Sequence, residues 1–145
     1  MSAAKRDRIV AAARGWIGTP YRHQASVNGA GADCLGLIRG VWRDVVGAEE
    51  EVPPQYSADW GETGRSELLF EAAERHLRKS DGAGQPGDVL LFRMRDKGIA
   101  KHLGLISGPN TFIHSYTGHG VIECALTEPW RRRVAAVFAF PFERI

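Results

Sequence analysis

The chain has 145 residues, 43% of them apolar, with a net charge of +2 and a pI near 8.7. That is enough apolar material for one core and predicts a single domain over residues 1–145. No apolar run approaches the roughly 20 residues that span a bilayer, and the basicity is too slight to select a charged ligand, so neither membrane nor nucleic acid is an expected partner.

The first residues lead into an amphipathic helix and not into a long apolar segment ending at a small-residue cleavage site. No signal peptide is therefore expected, and synthesis is expected in the cytoplasm. Ile9, Val10, Ala13, Trp16 and Ile17 recur at helical spacing, which predicts a first helix from Ala3 to Ile17, ended by Gly18 and stopped by Thr19-Pro20. Tyr21 to Ala32 reads as a loop of small and polar residues. Asp33 is a strong helix-capping residue, and the apolar run through Leu37, Ile38, Val41, Trp42 and Val45 predicts a second helix closed near Val46 by Gly47.

Ala48 to Gly64 reads as a long loop whose Tyr56 and Trp60 could wall a groove or a partner interface. A third helix is predicted from Ser66 to Lys79, with Leu68, Leu69, Ala72, Ala73 and Leu77 as its apolar stripe. Beyond the Gln85-Pro86-Gly87-Asp88 turn the period changes to that of strands: Val89–Arg93, Leu103–Ser107, Thr111–Tyr116, Val121–Cys124 and Val134–Phe140. Helices first and an antiparallel sheet second is an α+β layout.

Cys34 falls in the first turn of the second helix. The unpaired N–H groups and dipole of a helix start favour a thiolate, so Cys34 is expected to be an acidified thiol and a nucleophile. Cys124 shares none of this context, and both cysteines are expected to be free thiols. A nucleophilic cysteine needs a base. Of the five histidines, His76 lies on a charged helix face and His23 and His119 in loops, whereas His102 and His114 both fall inside strands.

A hairpin turn centred on Gly108 sets His102 directly opposite His114 on one face; a two-residue turn would put them on opposite faces. In the odd register His102 takes the Cys34 proton or holds the thiolate as an ion pair, and His114 binds the far nitrogen of His102 as the orienting member of a triad. The Cys34 backbone N–H, with the Tyr21 hydroxyl beside it, would form the oxyanion hole.

Gly18-Thr19-Pro20-Tyr21, Asp33-Cys34-Leu35-Gly36-Leu37, Gln85-Pro86-Gly87-Asp88-Val89-Leu90-Leu91-Phe92, His102-Leu103-Gly104-Leu105-Ile106 and Phe112-Ile113-His114-Ser115 resemble the successive signature blocks of the NlpC-type cell-wall cysteine peptidases. With its Pro-Pro-Gln-Tyr-Ser-Ala-Asp-Trp insertion, the chain is more narrowly similar to the wall peptidases of phage tails and gene transfer agents. The resemblance implies a papain-like fold, with N-terminal helices packed on a five- to six-stranded antiparallel sheet.

It also implies cleavage of peptidoglycan stem peptides, typically between D-γ-glutamyl and diaminopimelate residues, with Cys34 as nucleophile, His102 as base and His114 as orienting residue. Tyr21 matches the family tyrosine near the nucleophile, and Asp33 a position that helps recognise the substrate's free amine, besides capping the helix. Assembly into a phage-like particle, with tail-tip or baseplate hub proteins as partners, is a further implication. Leu35, where serine is usual, and Arg22-His23-Gln24 depart from the pattern and bear on subsite details.

Three other readings compete. Cys34, His102 and His114 are zinc ligands in type, but no Cys-x-x-Cys or closely spaced histidine pair supports a site, and neither metal nor cofactor is expected. A tail-tip module that only binds could dock through Tyr56, Trp60 and Arg131-Arg132-Arg133. A different acyl transfer on the same scaffold is the third.

Overall fold

The computed structural model describes residues 2–54, 68–94 and 98–145. Its elements are α1 (Ala3–Arg14), β1 (Ser26–Val27), β2 (Gly31–Ala32), α2 (Cys34–Val45), α3 (Leu68–His76), β3 (Arg78–Ser80), β4 (Val89–Arg93), β5 (Ala100–Gly108), β6 (Thr111–Tyr116), β7 (Gly120–Ala125), α4 (Glu128–Arg132) and β8 (Val134–Ala139), with a closing 3-10 turn at Phe142–Arg144. β3 to β8 form one antiparallel sheet in the order β3-β8-β4-β5-β6-β7. This is the expected α+β arrangement of helices on a six-stranded sheet. None of the described helices is long and apolar enough to cross a membrane.

The sheet is covered on both faces, and the period-2 alternation of its strands sorts the residues between them. Val89, Leu91, Leu103, Leu105, Ile113 and Phe138 pack with Ile9, Ala13, Trp16, Leu37 and Val41 of the helical layer. Leu90, Phe92, Ile106, Phe112 and Val137 form a second cluster on the far side, closed by Leu126 and Trp130. The turn after α1 lies close on α2 because Gly40 has no side chain: a Cβ there would stand 2.0 Å from Trp16 Cζ2. Trp16 also donates its Nε1–H to Asp44 in α2 at 3.0 Å.

Two helix ends differ from the sequence expectation. α1 ends at Arg14 and the chain turns through Trp16 and Ile17, whose amides donate to Ala13 and Arg14 carbonyls in short-range turns. The third helix stops at His76, and Arg78–Ser80 leaves it to pair with β8 as an edge strand. Its predicted start at Ser66, like Tyr56 and Trp60, lies outside the described residues.

The β5–β6 turn also corrects the expected register. Gly108 pairs with Thr111 around a two-residue turn, yet Ile106 pairs with Phe112 and Leu105 with Ile113, so Ser107 is an extra residue in β5, a β-bulge. His102 is therefore not directly opposite His114. Continued toward the start of β5, this register sets His102 across from Tyr116, one diagonal step from His114 on the same face.

Filling the notch at Gly40 tests the helical layer. Gly40→Ala should lower the unfolding free energy by about 1–3 kcal/mol through overpacking against Trp16, measured by urea denaturation; an unchanged midpoint would contradict this packing.

Candidate active site

Asp33 builds the start of α2. Its Oδ1 accepts the Gly36 N–H at 2.7 Å, a helix cap, and its Oδ2 accepts the Gln24 N–H at 2.7 Å, which ties the preceding loop to the same carboxylate. Asp33 is buried, so its observed engagement is within the protein, as cap and loop anchor. The loop is further held to β7, where Gly18 N–H donates to Val121 O and Val121 N–H to Thr19 O. Gly120 permits this approach: its φ is +72°, and a Cβ there would stand 2.4 Å from Thr19 O.

Cys34 follows as the first residue of α2 and is buried. Opposite it, the β5–β6 ladder has ended at Leu105–Ile113. Ile106 N–H donates to Asp88 O beside β4, so by antiparallel alternation the Leu103 N–H points the other way, toward β6. There it approaches the Cys34 sulfur and, with the N–H groups of Leu35 and Cys34 itself, favours the thiolate. The start of α2 thus sits in the gap between β5 and β6, and Ser115 of β6 donates to Ala32 O at 2.6 Å.

His102 is buried next to this gap, and its Nε2 lies 2.7 Å from His114 Nδ1. With Nε2 engaged by His114, Nδ1 is the other ring nitrogen of His102. The rings meet edge to face, with centroids 5.0 Å apart. They are walled by aromatics: Phe92 and Trp130 against His102, and Phe112, Tyr116 and Trp130 against His114.

The Tyr21 hydroxyl hydrogen-bonds to Thr117, and the phenol feels the charge of Cys34. Tyr21 thus stands near Cys34, and His102, paired with His114, is next in sequence to the Leu103 that approaches the Cys34 sulfur; Asp33 ties its own loop together while its charge reaches Cys34 and Tyr21. The two imidazoles aim nitrogens at each other and not at a common point. Among the described residues no group of three or more His, Cys, Asp and Glu side chains converges as a metal site.

The electrostatics overturn one expectation. Burial pushes the Cys34 thiol up to about 12, with the Asp33 carboxylate adding to the rise, and the three N–H donors only partly offset it. Burial outweighs the helix start. Burial likewise pushes His102 down to about 3, with His114 adding, and His114 down to about 4, with His119 adding. The resting pair is a neutral thiol beside a neutral imidazole.

Two contacts escape sequence reasoning. Trp130 from the short α4 covers both histidines. Cys124 Sγ lies 3.4 Å from His114 Nε2. The signal for Cys124 was present in the Thr117-Gly118-His119 turn: a β6–β7 hairpin centred on Gly118 pairs Phe112 with Cys124 and His114 with Ile122, leaving Cys124 one diagonal step from His114 on its face.

The model of the NlpC/P60 family matches residues 18–138. Over 129 residues the chain is 31% identical to the murein DD-endopeptidase MepS/murein LD-carboxypeptidase of Escherichia coli K12, covering 88% of this chain and 59% of that protein. The chain therefore spans rather more than half the length of that curated relative. Among solved structures, the NlpC/p60 domain of the peptidoglycan hydrolase SagA superposes with a TM-score of 0.65 at 22% identity, covering 93% of this chain and 98% of that one. NlpC1 of Trichomonas vaginalis gives 0.69 at 21% identity, covering 97% and 45%. At these identities the two structures establish the shared fold.

The two buried neutral histidines should make the fold acid-sensitive. Unfolded imidazoles titrate near about 6.5, so below that pH the unfolded chain binds protons that folded His102 and His114 refuse. Stability is therefore full above about 6.5 and falls as pH drops toward the folded values, by about 1.4 kcal/mol per pH unit for each histidine. Urea unfolding at pH 7 and pH 5 measures this, and His114→Gln should reduce the difference; equal stability at both pH values would contradict it.

Proposed function

Because the chain belongs to the NlpC/P60 family, we propose that it is a cysteine peptidase that hydrolyses peptidoglycan stem peptides through Cys34, His102 and His114. The observation that carries this is the buried 2.7 Å contact of His102 Nε2 with His114 Nδ1 beside a cysteine at a helix start. A base held by its far nitrogen next to a thiol is the arrangement acyl transfer requires.

In the proposed reaction Cys34 Sγ attacks the scissile carbonyl carbon while its proton passes to His102 Nδ1. The imidazolium so formed keeps Nε2–H on His114 Nδ1, which fixes the ring. The Cys34 backbone N–H and the Tyr21 hydroxyl receive the oxyanion. Collapse of the tetrahedral intermediate breaks the C–N bond, and His102 returns the proton to the leaving amine. Water, deprotonated by His102, then attacks the thioester, releasing the acid product and the Cys34 thiol. Since the resting pair is neutral, proton transfer accompanies attack and no standing thiolate is required.

The bond between D-γ-glutamyl and diaminopimelate residues is the proposed target, supported by the order and spacing of the sequence blocks. Delivery as a tail or baseplate component of a phage-like particle is proposed from the insertion at residues 53–60; its absence from purified particles would overturn that role.

Muropeptide mass spectrometry after digestion of purified peptidoglycan tests the activity and names the bond. Cys34→Ala and His102→Ala should each abolish fragment release, and His114→Ala should leave residual turnover because it removes orientation and not the base. Undiminished release by Cys34→Ala would contradict the mechanism, and no cleavage of any wall preparation by the wild type would point to a binding module.

A further inference from the structure

The histidine pair does not end at His114. Its Nδ1 meets His102 Nε2 at 2.7 Å, and its Nε2 meets Cys124 Sγ at 3.4 Å. His102, His114 and Cys124 therefore form one line of side chains, with Cys34 at the start of α2 near the Leu103 N–H next to His102, and each neutral imidazole carries one proton on one of two nitrogens.

Only two proton arrangements satisfy both contacts. In the first, His102 holds its proton on Nε2 and donates to His114 Nδ1, and His114 holds its proton on Nε2 and donates to Cys124 Sγ. His102 Nδ1 is then bare and can take a proton from Cys34. In the second, the Cys124 S–H donates to His114 Nε2, and His114 Nδ1–H donates to His102 Nε2. His102 then carries its proton on Nδ1, facing the thiol, and cannot act as a base.

We propose that Cys124 is a positioning residue whose sulfur accepts the His114 Nε2–H and so selects the first arrangement, leaving His102 Nδ1 bare toward Cys34. The inference rests on the reading of Cys34 as nucleophile and His102 as base. An imidazole N–H is a stronger donor than a thiol S–H, and sulfur is a serviceable weak acceptor, so the contact itself favours N–H···S. The thiol is pushed up by burial and by Glu123, so it does not offer a thiolate that would draw a second proton onto His114. Phe112, Tyr116 and Trp130 pack around the His114 ring, and Cys124 Sγ is the partner its Nε2 meets.

Long-range 1H–15N spectra of 15N-labelled protein at neutral pH report which ring nitrogen each histidine protonates. The wild type should show Nε2–H on both His102 and His114. Cys124→Ala should move His114 partly to Nδ1–H and lower kcat on stem peptides roughly three- to tenfold, the worth of one such hydrogen bond, with KM unchanged. Cys124→Met, a thioether that accepts but has no proton to donate, should restore both the tautomer and kcat. A wild-type His114 protonated on Nδ1, or a Cys124→Ala protein with wild-type tautomers and kcat, would overturn the proposal. The tautomers are read at rest, so failure of the wild type to hydrolyse any stem peptide contradicts the peptidase reading separately.

Discussion

The hydrogen bond between His102 and His114 depends on a single extra residue. Gly108 and Thr111 close a two-residue turn, and a regular ladder continued from that pair would set His114 against Leu105, facing the helices. Ser107 absorbs one position, and the ladder beyond it pairs Leu105 with Ile113. His114 is thereby returned to the face of His102, among Phe92, Phe112 and Trp130. A bulge in a hairpin is thus what converts two histidines into a pair. The gap that opens where the β5–β6 ladder stops admits the start of α2, and with it the Cys34 sulfur.

The placement of Cys34 sets two effects against each other. The helix start and the Leu103 N–H stabilise a thiolate, while burial and the capping carboxylate of Asp33 oppose it, and burial prevails. Asp33 is needed nonetheless, since it caps the helix and gathers the loop at Gln24. The consequence for chemistry is a pair without charge at rest, flanked by aromatic rings that exclude water. In the proposed reaction charge arises only during attack, where fixed N–H groups and His114 are already in place. Orientation of the base therefore weighs more here than a lowered thiol pKa, which is why the proton arrangement along His102, His114 and Cys124 matters.

Sequence periodicity carried most of the fold. The apolar spacings of α1 and α2, the Asp33 cap and the alternating strands were all legible, because each is a local pattern that tertiary contacts reinforce. β3 was not, since Arg78–Ser80 is polar and short and is a strand only because β8 offers it an edge. The same-face placement of His102 and His114 was legible but for the wrong register: the odd offset came from a bulge and not from an odd turn, and bulges leave little local signal. The Asp33-capped helix start at Cys34 was legible, yet the upward push on its thiol was not, because burial is a property of the assembled fold. Trp130 and Cys124 escaped because their roles exist only across strands and layers.

A stem-peptide analogue with an electrophilic ketone at the scissile carbonyl, followed by intact-protein and peptide-map mass spectrometry, tests the central claim most directly. One adduct per chain is expected, on Cys34 and not on Cys124, and it should fail to form in His102→Ala. An adduct on Cys124, or labelling of Cys34 that is indifferent to the loss of His102, would contradict it.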